Sequence, residues 1–356
     1  MTINIGLEKK KWYNIRVPVK PVSSLSEAIK SVAVGKTGSR NIEKNDSISI
    51  VEEIKTGSAD PVKVAALFTA LKVKGIADGE KPLIEYLGHD AFKDSALFLV
   101  NIGQYQGANT FHTIFDKLLN EEVLTSDEQE TVSKIVFDTN IPEPLRVIFT
   151  TVLRMNYAPA EQYASLYREL MKTINPGFQN PWPGGVPVLQ FAEPFDGVSH
   201  SHLLTPLLMN HFQKRFRCFA MVGRSSGPKF GNNLLDISRE IERQTGGGVK
   251  YIHTSSDSLD LKPVFGYYLD QKLLSETLDD WVDLRIRMQK RPFMATLEKY
   301  INPFKSKCLI SSAFHGPFGE KMIEIAEHLG FESAIIIRKG REGSLSFSLS
   351  KPVEVY

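Results

Sequence analysis

The chain has 356 residues, 42% of them hydrophobic and 24% charged, which is enough apolar surface to bury a core and excludes a wholly disordered chain. A net charge of +2 excludes a polycation, and two cysteines, Cys218 and Cys308, with no Cys-x-x-Cys pair exclude a disulfide framework or a zinc knuckle. No apolar run reaches the roughly 18 residues of a membrane span, and Lys9-Lys10-Lys11 is too charged for a signal peptide, so the expected compartment is the cytoplasm.

Residues 1–22 alternate polar and apolar positions around Pro18 and Pro21 and read as an N-terminal arm or short edge strand. From Ser23 the spacing is helical. Asp60-Pro61 is a helix start, a capping side chain followed by proline at the first helical position, and Gly75 ends that helix. The pattern recurs 82 residues later: Ile42, Ile50, Ile54, Leu67, Leu71 and Val73 are matched by Leu124, Val132, Val136, Phe149, Leu153 and Met155, and Lys72 by Arg154. Two related helical bundles are therefore expected, over 23–107 and 108–175. Chance alignment of two amphipathic helix pairs is the plainer alternative.

Asn175-Pro176-Gly177 and Asn180-Pro181-Trp182-Pro183-Gly184-Gly185 read as a linker. Beyond it, over 186–356, short apolar strands alternate with helices. Strands are predicted at 186–191, 217–222, 307–311 and 333–337, and helices at 203–213, 232–244 and 319–329. The expected fold class is α/β with a helical domain, a possibly duplicated bundle followed by a mainly parallel sheet covered by helices.

Ligands of such sheets gather beyond the carboxyl ends of the strands. The loop at 193–200 offers Asp196, Gly197 and Ser199. The loop at 223–231 offers Gly223, Arg224, Ser225, Ser226 and Lys229, with glycines for close backbone approach, hydroxyls and two cations, so phosphate is its natural ligand. It is not a Walker loop. Two basic clusters, one with Lys214, Arg215 and Arg217 and one with Arg285, Arg287, Lys290 and Arg291, could attract nucleic acid, or could be solvated helix faces balanced by Asp279, Asp280 and Asp283. His200 and His202 lack metal-ligand spacing, so no metal site is expected.

The order of a helical bundle, a linker and an α/β half with Asp-Gly, Gly-Arg-Ser-Ser-Gly and Glu-Gly loops resembles the anthranilate phosphoribosyltransferases and pyrimidine-nucleoside phosphorylases of glycosyltransferase family 3. The closest resemblance is to a nucleic-acid-binding paralogous branch that lacks the transferase activity. It is carried by Phe195-Asp196-Gly197 with 204–208, by Arg285-Ile286-Arg287-Met288 through Pro303-Phe304, and by Gly340-Arg341-Glu342-Gly343. The resemblance implies a transferase fold with nucleoside-phosphorylase-like topology and a homodimer formed through the helical domain. It also places Arg291 at an arginine of the aromatic-acid pocket. Where the enzymes hold diphosphate with Gly-Thr-Gly-Gly-Asp-Gly, this chain has Ala192-Glu193-Pro194-Phe195-Asp196-Gly197, and the acidic pair that positions magnesium is missing from 340–344.

The expectation is an anthranilate phosphoribosyltransferase-like protein with an altered or lost catalytic site, binding a phosphate-bearing small molecule or nucleic acid. The alternatives are an active glycosyl or phosphoribosyl transferase with an unknown acceptor, which would require magnesium, and a dimeric structural or regulatory module. No cofactor is otherwise expected. Hydrolase and oxidoreductase chemistry are not indicated.

Overall fold

Asp60 caps the helix that follows it, its carboxylate accepting from the Val62 amide at 2.9 Å, and the helix runs Pro61–Lys74 (α3) before Gly75 turns the chain at φ 88°. Before α3 come α1 (Ser24–Val32) and α2 (Lys44–Lys55); after it come α4 (Lys81–Leu87), α5 (His89–Lys93) and α6 (Ser95–Asn101). Four further helices complete the N-terminal region: α7 (Thr110–Leu119), α8 (Ser126–Phe137), α9 (Glu143–Met155) and α10 (Ala160–Lys172). A reciprocal box between Thr125 and Glu128 opens α8. The computed structural model describes residues 23–35, 38–107, 110–178, 187–192, 204–222, 234–253, 263–290, 293–313, 318–338, 352 and 354–356. The expected arm at 1–22 and the linker residues 179–186 lie outside the described residues.

The 82-residue spacing holds in three dimensions. Helices α2 and α8 coincide at that offset, as do the starts of α3 and α9. The agreement continues past them: Gly75 and Tyr157 both take a left-handed conformation, and Glu80 and Gln162 are both buried polar residues. The two segments do not form separate cores, because α3 and α9 make the most extensive helix–helix contact of the described residues and share one apolar cluster. The two segments diverge on one face. Tyr163 and Tyr167 of α10 pack toward the C-terminal half, whereas the corresponding Lys81 and Glu85 are exposed.

The C-terminal half follows as β1 (Val188–Ala192), α11 (Leu204–Phe212), β2 (Arg217–Val222), α12 (Leu234–Thr245), β3 (Lys250–Ile252), β4 (Tyr267–Asp270), α13 (Gln271–Leu274), α14 (Glu276–Arg287), α15 (Met294–Leu297), β5 (Cys308–Ala313), α16 (Phe318–His328), β6 (Ser333–Arg338) and β7 (Glu354–Val355). The sheet order is β3-β4-β2-β1-β5-β6-β7, parallel throughout except for the antiparallel β7. Both faces are buried, as parallel sheets require. Cys218, Ala220 and Tyr268 pack with α11 and α12 on one face, and Phe219, Tyr267 and Leu269 join the large helical core on the other. This is the helical region plus mainly parallel, helix-covered sheet expected from the sequence. Among the described residues no helix is long and apolar enough to cross a membrane.

Candidate functional site

Strand β1 is followed by β2 on one side and bordered by β5 on the other, and β5 is followed by β6 still farther out. The direction of winding reverses between β1 and β5, and in open parallel sheets such a switch point, at the carboxyl ends of the two strands, is where ligands bind. Ala192 and Ser311 are register partners there, and the Ser311 hydroxyl donates to the Ala192 carbonyl at 3.2 Å.

A polar side chain in the middle of β1 anchors the neighbouring turn. Gln190 is fully buried, and its amide donates to the carbonyls of Lys299 (2.9 Å) and Ile301 (3.0 Å). These two bonds hold the turn after α15 against the sheet. From that turn the Lys299 ammonium donates to the Ser312 carbonyl at 2.5 Å, one residue from the end of β5. A cation thus stands beside the carboxyl end of β5. Gln190 interrupts an otherwise apolar strand and could have been singled out in the sequence; Lys299 carries no local signal.

The loops chosen from the sequence leave from neighbouring strand ends. Ala192 and Met221 are register partners at the carboxyl ends of β1 and β2. Asp196, Gly197, Ser199, Gly223, Arg224, Ser225, Ser226, Lys229 and Arg291 themselves lie outside the described residues, as do residues 340–344. Among the described residues no group of three or more histidine, cysteine and acidic side chains could hold a metal ion.

The second basic cluster is not an exposed stripe. Arg285 is buried and its guanidinium pairs with the buried Glu298 carboxylate at 2.9 Å, with Gln271 donating to the same carboxylate at 3.3 Å. Burial pushes the Glu298 carboxyl up to about 7 against the pull of Arg285. Arg287 forks onto Asp60 at 2.8 and 2.9 Å and reaches Glu143 at 2.6 Å, and the Lys290 ammonium donates to the Lys30 carbonyl at 2.5 Å. The reading of Arg285 and Arg287 as surface groups facing a polymer is therefore corrected, because their charges are paired with acids within the fold, while Lys290 is held against the Lys30 carbonyl. Lys214 and Arg215 are exposed in the turn before β2, and Arg217 opens that strand. They stand at the amino end of the sheet, opposite the switch point.

The Arg287 fork ties α14 to the first turns of α3 and α9. Burial pushes the Asp60 carboxyl up, but the bonds from Arg287 and the Val62 amide outweigh it and hold the carboxyl below its usual range. Asp60→Ala removes both the cap and the fork, and should lower stability by about 1–2 kcal/mol, mostly from the cap because the ion pair is partly solvated. Asp60→Asn keeps the cap and should lose less than about 1 kcal/mol. Urea titration of the two variants separates these contributions.

No family model matches the chain. A curated relative described only as an uncharacterized protein, from Aquifex aeolicus (strain VF5), is 36% identical over 88 residues, and the match spans 25% of this chain and 28% of that protein. Among solved structures, anthranilate phosphoribosyltransferase from Thermus thermophilus is similar with a TM-score of 0.52 at 14% identity, covering 68% of this chain and 72% of that one. The Saccharomyces cerevisiae enzyme in complex with PRPP and Mg gives a TM-score of 0.45 at 14% identity, covering 65% and 66%. At such identity the likeness to the Thermus enzyme is one of fold: the chain has a phosphoribosyltransferase-like architecture.

Proposed function

We propose that this chain binds a small phosphate-bearing ligand, of the phosphoribosyl diphosphate kind, at the switch point above β1 and β5, on a transferase scaffold whose catalytic chemistry is altered or lost. The observation that carries the reading is the reversal of strand order between β1 and β5, with two candidate loops leaving from adjacent strand ends. Lys299 beside the carboxyl end of β5 contributes a positive charge where an anion would sit. The loop after β2 brings backbone amides, two hydroxyls and two cations of the type that holds phosphate.

The loss of transfer chemistry is supported by the loop after β1. Glu193 would repel a diphosphate, and Pro194 lacks the amide that a phosphate cradle uses. Without a metal-positioning acidic pair, charge developing on a departing diphosphate would go unneutralised, a loss of several kcal/mol. The small ligand is favoured over nucleic acid because Arg285 and Arg287 are paired with carboxylates of the chain itself.

Isothermal calorimetry with phosphoribosyl diphosphate, with and without magnesium, tests the reading. A dissociation constant on the order of 10 μM is expected, weakened tenfold or more in Arg224→Ala. No heat under either condition would overturn it.

A further inference from the structure

On the β3 and β4 side of the sheet, well to one side of the β1–β5 switch point, a cavity of about 150 Å³ opens over the carboxyl ends of the strands. Arg239 of α12, Tyr251, Ile252 and His253 at the end of β3, Asp270 at the end of β4 and Leu273 of α13 line it. Asp270 is fixed before any ligand arrives. One of its carboxylate oxygens accepts from the Lys272 amide at 2.9 Å, and the side chain is only 17% exposed. Its other oxygen lies 3.7 Å from the Arg239 guanidinium, near enough for attraction and too far for a hydrogen bond. Arg239 is 60% exposed and so can swing at small cost. The Tyr251 hydroxyl and Ser238 share a 2.6 Å hydrogen bond that holds the ring as a wall, and Leu273 adds an exposed apolar side chain.

The lining thus presents a negative and a positive charge side by side, a loose ion pair at 3.7 Å with no hydrogen bond between the two groups, next to an apolar surface. A ligand of one charge would be drawn to one partner and repelled by the other, so its net attraction is small. A ligand carrying both charges on neighbouring atoms satisfies both, its ammonium on Asp270 and its carboxylate on Arg239, with His253 beside the carboxylate. The volume admits a molecule of amino-acid size and little more. We infer that this cavity is a binding site for a small zwitterion, an α-amino acid of small or medium side chain. The site uses none of the residues invoked for the phosphate-bearing ligand and stands or falls independently of it.

The experiment is saturation-transfer difference NMR of the full chain with each of the common amino acids, followed by calorimetry on those that respond. At least one amino acid should bind with a dissociation constant on the order of 1 mM or tighter. Arg239→Ala and Asp270→Asn should each weaken it tenfold or more; the first side chain is exposed, and asparagine retains the capping oxygen, so both variants should fold. The N-acetyl derivative and the methyl ester of the same amino acid should each lose binding. Silence from every amino acid at about 20 mM, equal binding of propionate, or unchanged affinity in the two variants would each overturn the inference. Titration of the same variants with phosphoribosyl diphosphate should match the unmodified chain.

Discussion

Arg285→Met should destabilise the fold by about 3–5 kcal/mol at pH 8, because it strips the cation from a carboxylate with no access to water. Arg285 and Glu298 are both buried, 2.9 Å apart, so neither solvent nor salt screens the loss. Replacing both, with Arg285→Met and Glu298→Leu together, should recover most of it, since a well-packed apolar pair costs no charge burial. The penalty should also depend on pH. The Glu298 carboxyl lies near 7 in the folded state, above its unfolded value, so its contribution is present at low pH and is lost as pH rises. Stability of the unmodified chain should therefore fall between about pH 4.5 and 7 and level off above. Glu298→Gln should flatten that window, and Arg285→Met should be milder at pH 5 than at pH 8. Urea denaturation at the two pH values reads these expectations; an equal penalty at both would show that Glu298 stays ionised throughout.

The second large effect is expected from Phe149→Ala, at about 3–5 kcal/mol. Phe149 is fully buried on α9, its ring 5.9 Å from that of Phe115 and 6.3 Å from that of Phe111, on the helix that packs along α3. Truncation would open a cavity beside the rings of α7, inside the apolar cluster that the two segments share. Leu67, the matching residue of α3, is also fully buried, and Leu67→Ala should cost about 2–5 kcal/mol. The double variant should depart from the sum of the singles where the two side chains meet across the α3–α9 contact. Additive losses would mean that the two helices pack through independent patches.

Helix α3 was legible because local chemistry specifies it: Asp60 and Pro61 set its start and Gly75 its end, and each acts within a few residues of itself. The 82-residue recurrence was legible for the same reason, since buried positions repeat wherever packing does. Strand β2 was read at its full length from an apolar run. Strand β4 was missed because four residues, Tyr267–Asp270, are too few for a periodicity to form, and its pairing with β2 is a long-range fact. The basic cluster at 285–290 misled because charge was counted along the chain. On a helix, positions two apart point to opposite sides, so Arg285 enters the core while Arg287 reaches outward to the bundle. Their partners lie 13, 227 and 144 residues away, and nothing near them in sequence announces an acid at the receiving end. The loops carrying most of the candidate ligand-binding side chains lie outside the described residues, so their chemistry stands as read from composition.

Arg287 grips the first turns of α3 and α9 at once, while Lys321 of α16 donates to the carbonyls of Tyr157 and Ala158 and the hydroxyls of Thr173 and Ser275 meet at 2.9 Å. These attachments surround the seam between bundle and sheet, so rotating one half against the other would have to break several of them together. The molecule is therefore stiff at that seam, and a bound ligand would be accommodated by rearrangement of nearby side chains and turns, with little swinging of whole halves. Side chains and turns, and not the angle between the two halves, are then what can adapt around the carboxyl ends of the strands.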